Sequence, residues 1–234
     1  MKQNSRPVTT NQHGNHEDLT AVVMRHLRKP FQKPLQDHNQ EAFAQAQAVV
    51  AEWAGPIILD SCCGVGESTA WLAEQYPDAL VIGVDKSSHR LQRHASYQTA
   101  AAGQRYLLVR ADLNDFWRLA VAANWQLHKH YILYPNPWPK SAHLSRRWHG
   151  SPVWPYVMAL GGELVMRSNW VTYLTEVAAS LALINCAAQV QPLLAQHEPV
   201  TPFERKYQAS GQQLWQLAAQ LPIDSRYFAA IEAE

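Results

Sequence analysis

The sequence predicts an α/β fold: a parallel sheet with helices on both faces and an antiparallel C-terminal edge. Three observations carry this. Short apolar runs (PIILD, ALVIGVD, RYLLVRAD, HYILY, ELVMRS) recur along the chain, and helical stretches separate them. Runs with little polar alternation are buried on both faces, as in parallel sheets. The tail then changes character: AAQVQPLL and GQQLWQLAAQ read as two strands that flank a loop over 197–211, an antiparallel edge on the sheet.

The elements follow in order. Residues 1–16 are polar and are expected to be disordered, and a short helix over 19–27 stops at Pro30. With Arg28, Lys29 and Lys33, residues 1–38 form a flexible, mildly basic arm ahead of a domain at 39–234. Asn39 is a suitable cap for a helix through Phe43, Ala46, Val49, Val50 and Trp53. Further helices are expected over 67–76, 87–102, 114–123 and 170–184, with a turn or short helix at 155–160.

Composition narrows the function. A hydrophobic fraction of 47% in 234 residues supports one sizeable core. The net charge of +1 excludes coating nucleic acid through bulk charge, so any such contact must be a local patch. Three cysteines, two of them adjacent, show neither a disulfide framework nor metal-ligand spacing. A cytoplasmic, monomeric protein with no membrane partner and no metal is the expectation. The polar start has no apolar signal segment, and no run is long enough to span a bilayer.

Ligands of open α/β sheets sit beyond the carboxyl ends of the strands. Here those ends carry Asp60, Asp85, Asp112 and Asn136. Gly64 and Gly66, in the turn after Asp60, let backbone approach a ligand, and the following helix start favours negative charge. Asp85 has the position from which a carboxylate accepts from ribose hydroxyls. Thr69 stands where a dinucleotide fingerprint needs its third glycine, which argues against a pyrophosphate here. Each aspartate is also a common helix cap; three in a row after a glycine turn favour the cofactor reading.

The most distinctive stretch is YILYPNPWPKSAHLSRRWH, residues 131–149. An aromatic strand breaks at Pro135, Pro137 and Pro139, so the chain leaves the sheet as a stiff loop. That loop presents Asn136 and Trp138, then Lys140, His143, Arg146, Arg147 and His149. An amide, a large aromatic and a basic run suit a flat base next to phosphates.

These motifs resemble known proteins. The glycine turn with its three acids looks like the class I (Rossmann-like) S-adenosylmethionine methyltransferase fold. YPNPWPKSAHLSRRWH, GGELVMRSNWVTYLTE and TPFERKYQASGQQLWQL together resemble the bacterial tRNA (guanine-N7) methyltransferases over about residues 40–220. The resemblance implies S-adenosylmethionine as cofactor, tRNA as partner and methyl transfer to guanine N7. It implies cofactor contacts at Asp60, Gly64, Gly66, Asp85, Asp112, Leu113 and Asn136, with Asn136 also at the reaction centre. It implies substrate contacts at Trp138, Lys140, His143, Arg146, Arg147, Asn169, Thr201 and Glu204.

Asn136 and Asn169 both stand where that family usually has aspartate. Guanine N7 carries no proton, so the loss of a carboxylate need not abolish transfer. Two other readings stay open. Asn-Pro-Trp also resembles the Asn-Pro-Pro-aromatic motif of exocyclic-amine (N6-adenine) methyltransferases, though a proline is missing. A non-catalytic RNA-binding member of the fold is the other.

Overall fold

A computed structural model describes residues 5–96, 105–194 and 196–222. Seven strands form one sheet: β1 (Ile57–Ser61), β2 (Leu80–Asp85), β3 (Tyr106–Arg110), β4 (Lys129–Leu133), β5 (Gly162–Ser168), β6 (Ala188–Pro192) and β7 (Trp215–Leu221). Their order is β3-β2-β1-β4-β5-β7-β6. Only β7 runs against its neighbours, so the expected antiparallel edge is present.

Strand residues alternate between two cores. Leu59, Ile82, Ile132, Leu164 and Met166 point to one side. Ile58, Val81, Tyr131, Leu133 and Val165 point to the other. The two-residue period of a pleated strand forces this division, and burial on both faces explains the continuous apolar runs. The first core also takes side chains from α1 (Leu19–Leu27), α2 (Asp37–Ala51), α5 (Leu113–Ala122), α6 (Trp154–Ala159) and α7 (Val171–Ala182). The second takes Leu72 and Ala73 of α3 (Glu67–Gln75).

Several expectations change. The helix expected over 87–102 begins as a single turn, α4 (Ser88–Leu91), followed by a 3-10 turn at His94–Ser96; residues 97–102 lie outside the described ones. Gln36, not Asn39, precedes α2. Asn39 is buried and braces the end of β3 instead. Its Oδ1 accepts from the Asp112 amide at 3.0 Å, and its Nδ2 donates to Asp115 at 2.6 Å. The loop expected at 197–211 contains α8 (Pro202–Ala209). The arm expected to be flexible is docked over its described residues. Leu19 and Val23 enter the core, and Gln12 is buried among polar groups. The segment before α1 is anchored by hydrogen bonds, which apolar patterning cannot reveal. Residues 1–4 of that arm are outside the described ones.

Chain direction places the site. From β1 the chain steps outward through β2 and β3, then returns to the other side of β1 for β4 and β5. The carboxyl ends of β1 and β4 therefore flank the point where strand order reverses, where such sheets open a crevice.

Candidate functional site

A cleft of about 780 Å³ opens there. Its lining includes Gly64, Asp85, Asp112, Leu113, Asn136, Trp138, Arg146 and Thr201, so eight residues named from the sequence meet in one place.

The turn after β1 forms one wall. Cys62, Gly64 and Gly66 all have positive φ, at 65°, 64° and 76°. A Cβ at Gly64 would meet only the Cys62 carbonyl, at 4.0 Å, so this glycine leaves space over the turn. A Cβ at Gly66 would strike His94 Nδ1 at 2.7 Å and Leu108 at 2.9 Å. Gly66 therefore allows close packing at the start of α3 and does not line the cleft. Burial pushes the Cys62 thiol up to about 12 and the Cys63 thiol well above its ordinary value. Neither is a thiolate at neutral pH, which removes them as nucleophiles.

Asp60 also lies behind the turn. It is fully buried and outside the cleft lining, and its Oδ2 accepts from Ser68 and Thr69 hydroxyls, each at 2.7 Å. The sequence-based expectation of direct cofactor contact is replaced by a role beneath the glycine turn. Burial raises its pKa from an ordinary 3.8 to about 6, against the Ser68 and Thr69 hydrogen bonds. A carboxyl raised in this way contributes stability that is full below about pH 4 and is lost as pH rises through about 6. We expect Asp60→Asn to remove this dependence. Relative to wild type, its melting temperature without cofactor should rise between about pH 4 and 6 and level off above that; a constant difference would rule the titration out.

Asp85 ends β2, and its carboxylate faces the cleft. It accepts from the Gly64 amide at 3.0 Å and the Ser87 amide at 2.8 Å, with Arg90 at 3.5 Å. Asp112 caps α5 by accepting from the Asn114 amide at 2.9 Å, and Leu113 supplies an apolar surface beside it. The donor chemistry fits an adenosyl group: ribose presents hydroxyl donors, which need an acceptor-only carboxylate such as Asp85.

The opposite wall is the proline loop. Tyr134 and Trp138 both take left-handed φ, 51° and 44°, unusual for large side chains and a sign of an enforced backbone. Asn136 is exposed at the cleft, and its Oδ1 lies 3.4 Å from the Trp138 amide. The Arg146 guanidinium stacks over the Trp138 ring at 4.7 Å, while His143 meets that ring edge-on at 5.6 Å. Lys140 is exposed just beyond the cleft lining.

Three further expectations, all on the substrate side, are corrected. Arg147 is fully buried and pairs with Glu176 at 2.6 Å, so it does not meet phosphates while Arg146 beside it does face the cleft. Glu204 is fully buried as well. Its carboxylate accepts from Tyr134 Oη, Arg167, His197 and the Val200 amide, at 2.8–2.9 Å, which leaves it no role at a base edge. Burial and the Glu204 charge push the Tyr134 phenol well up, so it stays a donor. Asn169 donates to Gln212 at 2.9 Å and is outside the cleft lining. Thr201 keeps its place: it lines the cleft and caps α8 through the Glu204 amide at 3.0 Å.

The cleft also holds residues not foreseen. Lys86, Arg90 and Arg93 line it, from the segment that follows Asp85 through the single turn of α4. Phe203 and Tyr207, one turn apart on α8, stack with ring centroids 6.3 Å apart and also line it. Recognising Thr201-Pro202-x-Glu204 as a helix start would have placed them.

Residues 54–217 match the model of the methyltransferase family Methyltransf_4. The chain is 26% identical over 165 residues to the tRNA (guanine-N(7)-)-methyltransferase of Treponema pallidum (strain Nichols), covering 69% of this chain and 66% of that protein. It is 22% identical over 210 residues to the tRNA (guanine-N(7)-)-methyltransferase of Streptococcus thermophilus (strain CNRZ 1066), covering 82% of this chain and 96% of that one. The chain thus spans just under two thirds of the first relative and nearly all of the second. Among solved structures, the 16S rRNA methyltransferase KamB superposes with a TM-score of 0.55 at 16% identity, covering 83% of this chain and 99% of that chain. The fold is therefore that of a class I methyltransferase. With the family match running from before β1 into β7, across the whole cleft, the chain is a divergent member of the Methyltransf_4 methyltransferases, the family of the bacterial tRNA (guanine-N7) enzymes.

Proposed function

We propose that this protein transfers the methyl group of S-adenosylmethionine to N7 of a guanine in tRNA. One observation carries the reading: the Asp85 wall and the Asn136–Trp138 wall face each other across a single cleft, with Arg146 at its rim. S-adenosylmethionine supplies an electrophilic methyl carbon when bound. Asp85 accepts from its ribose, and Gly64 leaves room for it.

The chain's remaining task is positional. Guanine N7 attacks with a lone pair and loses no proton, so no general base is required. The site must hold N7 about 3 Å from the methyl carbon, in line, and keep water out. Asn136 offers an amide oxygen at the cleft to a donor on the guanine edge. Trp138 offers an aromatic face; such stacking is worth about 1–3 kcal/mol per base. Arg146, Lys140 and His143 flank it on the side where the RNA backbone must run, and Lys86, Arg90 and Arg93 extend the positive charge along the cleft.

Two expectations follow. Asp85→Ala should weaken S-adenosylmethionine binding more than tenfold by calorimetry, because ribose donors lose their acceptor in a closed site. Equal affinity would remove Asp85 from the ribose. Arg146→Ala should weaken tRNA binding, reduce the slope of log K against log salt by about 1, and leave cofactor affinity unchanged. A tRNA affinity that ignores salt would contradict the assignment. Nucleoside mass spectrometry of treated tRNA is the test of the reaction itself.

A further inference from the structure

We infer that Arg147 is a positioning residue, a buried clamp that fixes the Trp138–Lys140 segment of the loop from behind. Four of its five N–H donors are engaged. Nε donates to the Trp138 carbonyl at 3.2 Å, and Nη2 donates to the Lys140 carbonyl at 3.1 Å. Nη2 also reaches Gln12 Oε1 at 2.9 Å, and Nη1 reaches Glu176 Oε2 at 2.6 Å. The guanidinium lies over the Trp170 ring at 4.9 Å and is wholly shielded from solvent.

A planar fork is the group that can do this. Its donors diverge at fixed angles, so two carbonyls two residues apart are held in one orientation. The segment held this way contains Trp138, whose left-handed φ of 44° needs outside support. It also ends at Lys140, whose exposed side chain is thrown outward while its carbonyl points inward to Arg147.

The anchor behind the clamp is equally built. Glu176 is fully buried, and its Oε2 accepts from both Arg147 and His149, the latter at 2.8 Å. Burial pushes its carboxyl up, but the hydrogen bonds from His149 and Arg147 and the Arg147 charge outweigh this and hold it at about 2. Glu176 Oε1 accepts from Gln12 at 2.6 Å and the His16 amide at 2.9 Å. The N-terminal segment is thereby tied to the same anchor. It touches the loop directly as well: Thr10 Oγ1 donates to the Pro139 carbonyl at 2.5 Å, and the Ser141 amide donates to Asn11 at 3.0 Å.

That this loop holds the substrate rests on the function proposed above; that Arg147 clamps it does not. The test uses Arg147→Lys, which keeps the charge for Glu176 and loses the fork, and Gln12→Ala, a milder change in case the first does not fold. Amide hydrogen exchange of the full chain is followed at 138–143, beside single-turnover transfer and cofactor and tRNA affinities. The clamp predicts exchange at least tenfold faster at 138–143 in Arg147→Lys and at least threefold faster in Gln12→Ala, with β5 still protected. It predicts a single-turnover rate at least tenfold lower in Arg147→Lys, with both affinities within threefold of wild type. Unchanged exchange at 138–143 overturns it. So does a loss of tRNA affinity with exchange unchanged, which would make Arg147 a phosphate contact. Exchange requires no catalysis, so a wild-type chain that transfers no methyl group overturns the proposed function while the clamp is still decided by exchange.

Discussion

Asn136→Ala will lower single-turnover methyl transfer by about 100-fold, while Asn136→Asp will stay within about tenfold of wild type, or roughly 1.4 kcal/mol. Asn136 sits between Pro135 and Pro137 with its amide exposed at the cleft. Alanine removes an acceptor from the base edge and also the partner of the Trp138 amide, so the base is both unpaired and misplaced. Aspartate keeps an acceptor at the same distance from the backbone. For transfer to a lone pair that is sufficient. Were the target an exocyclic amine, a proton would have to leave, and aspartate would accelerate the reaction well beyond tenfold. Rapid-quench kinetics on the three proteins separates the two cases.

Glu204→Ala will destabilise the fold by about 3–5 kcal/mol, the cost of leaving a buried cation without its partner. Arg167 is only 14% exposed at its side chain and meets Glu204 at 2.8 Å. Tyr134 Oη, His197 Nε2 and the Val200 amide lose the same acceptor. Because Tyr134 opens the proline loop, the damage reaches the cleft as well. Urea unfolding without cofactor measures the loss. If Glu204→Ala unfolds at the wild-type midpoint yet fails in transfer, Glu204 serves the substrate and not the scaffold.

The glycine-turn wall of the cleft was legible in the sequence because it is written in backbone demands. A strand must be apolar when both its faces are covered, a tight turn needs glycine, and an acid at a strand end meets whatever lies beyond the sheet. Those rules bring Asp85, Gly64 and Asp112 to the cleft, whereas Leu113 came only with the family resemblance. The proline loop was legible for the same reason, since no strand or helix tolerates Pro135, Pro137 and Pro139.

What was not legible is which polar groups turn inward. Arg146 and Arg147 are adjacent and chemically identical. The 3-10 turn over Ser141–Arg146 ends between them, and the extended backbone at Arg147 sends its side chain the opposite way. Glu176, well along the chain on α7, supplies the charge that makes that burial favourable, and a single sequence does not reveal the pairing. The N-terminal segment reads as disordered because its anchors are amides and hydroxyls, with few apolar side chains. Glu204 was misread for a related reason: a Thr-x-x-Glu pattern marks both a helix start and a substrate motif, and burial chooses the first for the glutamate. Asn169 turns to Gln212 in the same manner, so only one of the two asparagines that replace family aspartates lies at the cleft.

The two substitutions therefore differ in consequence. Asn169 is a structural contact, and its amide suits its amide partner. Asn136 is the one of the two that lines the cleft, where the proposed transfer would need an acceptor and no proton transfer.

The most direct measurement is nucleoside mass spectrometry of unmodified tRNA incubated with the protein and S-adenosylmethionine carrying a labelled methyl group. Label should appear in 7-methylguanosine, at a rate that Asn136→Ala lowers about 100-fold. Label in N6-methyladenosine, or no label from a protein that binds both cofactor and tRNA, would contradict the proposed transfer.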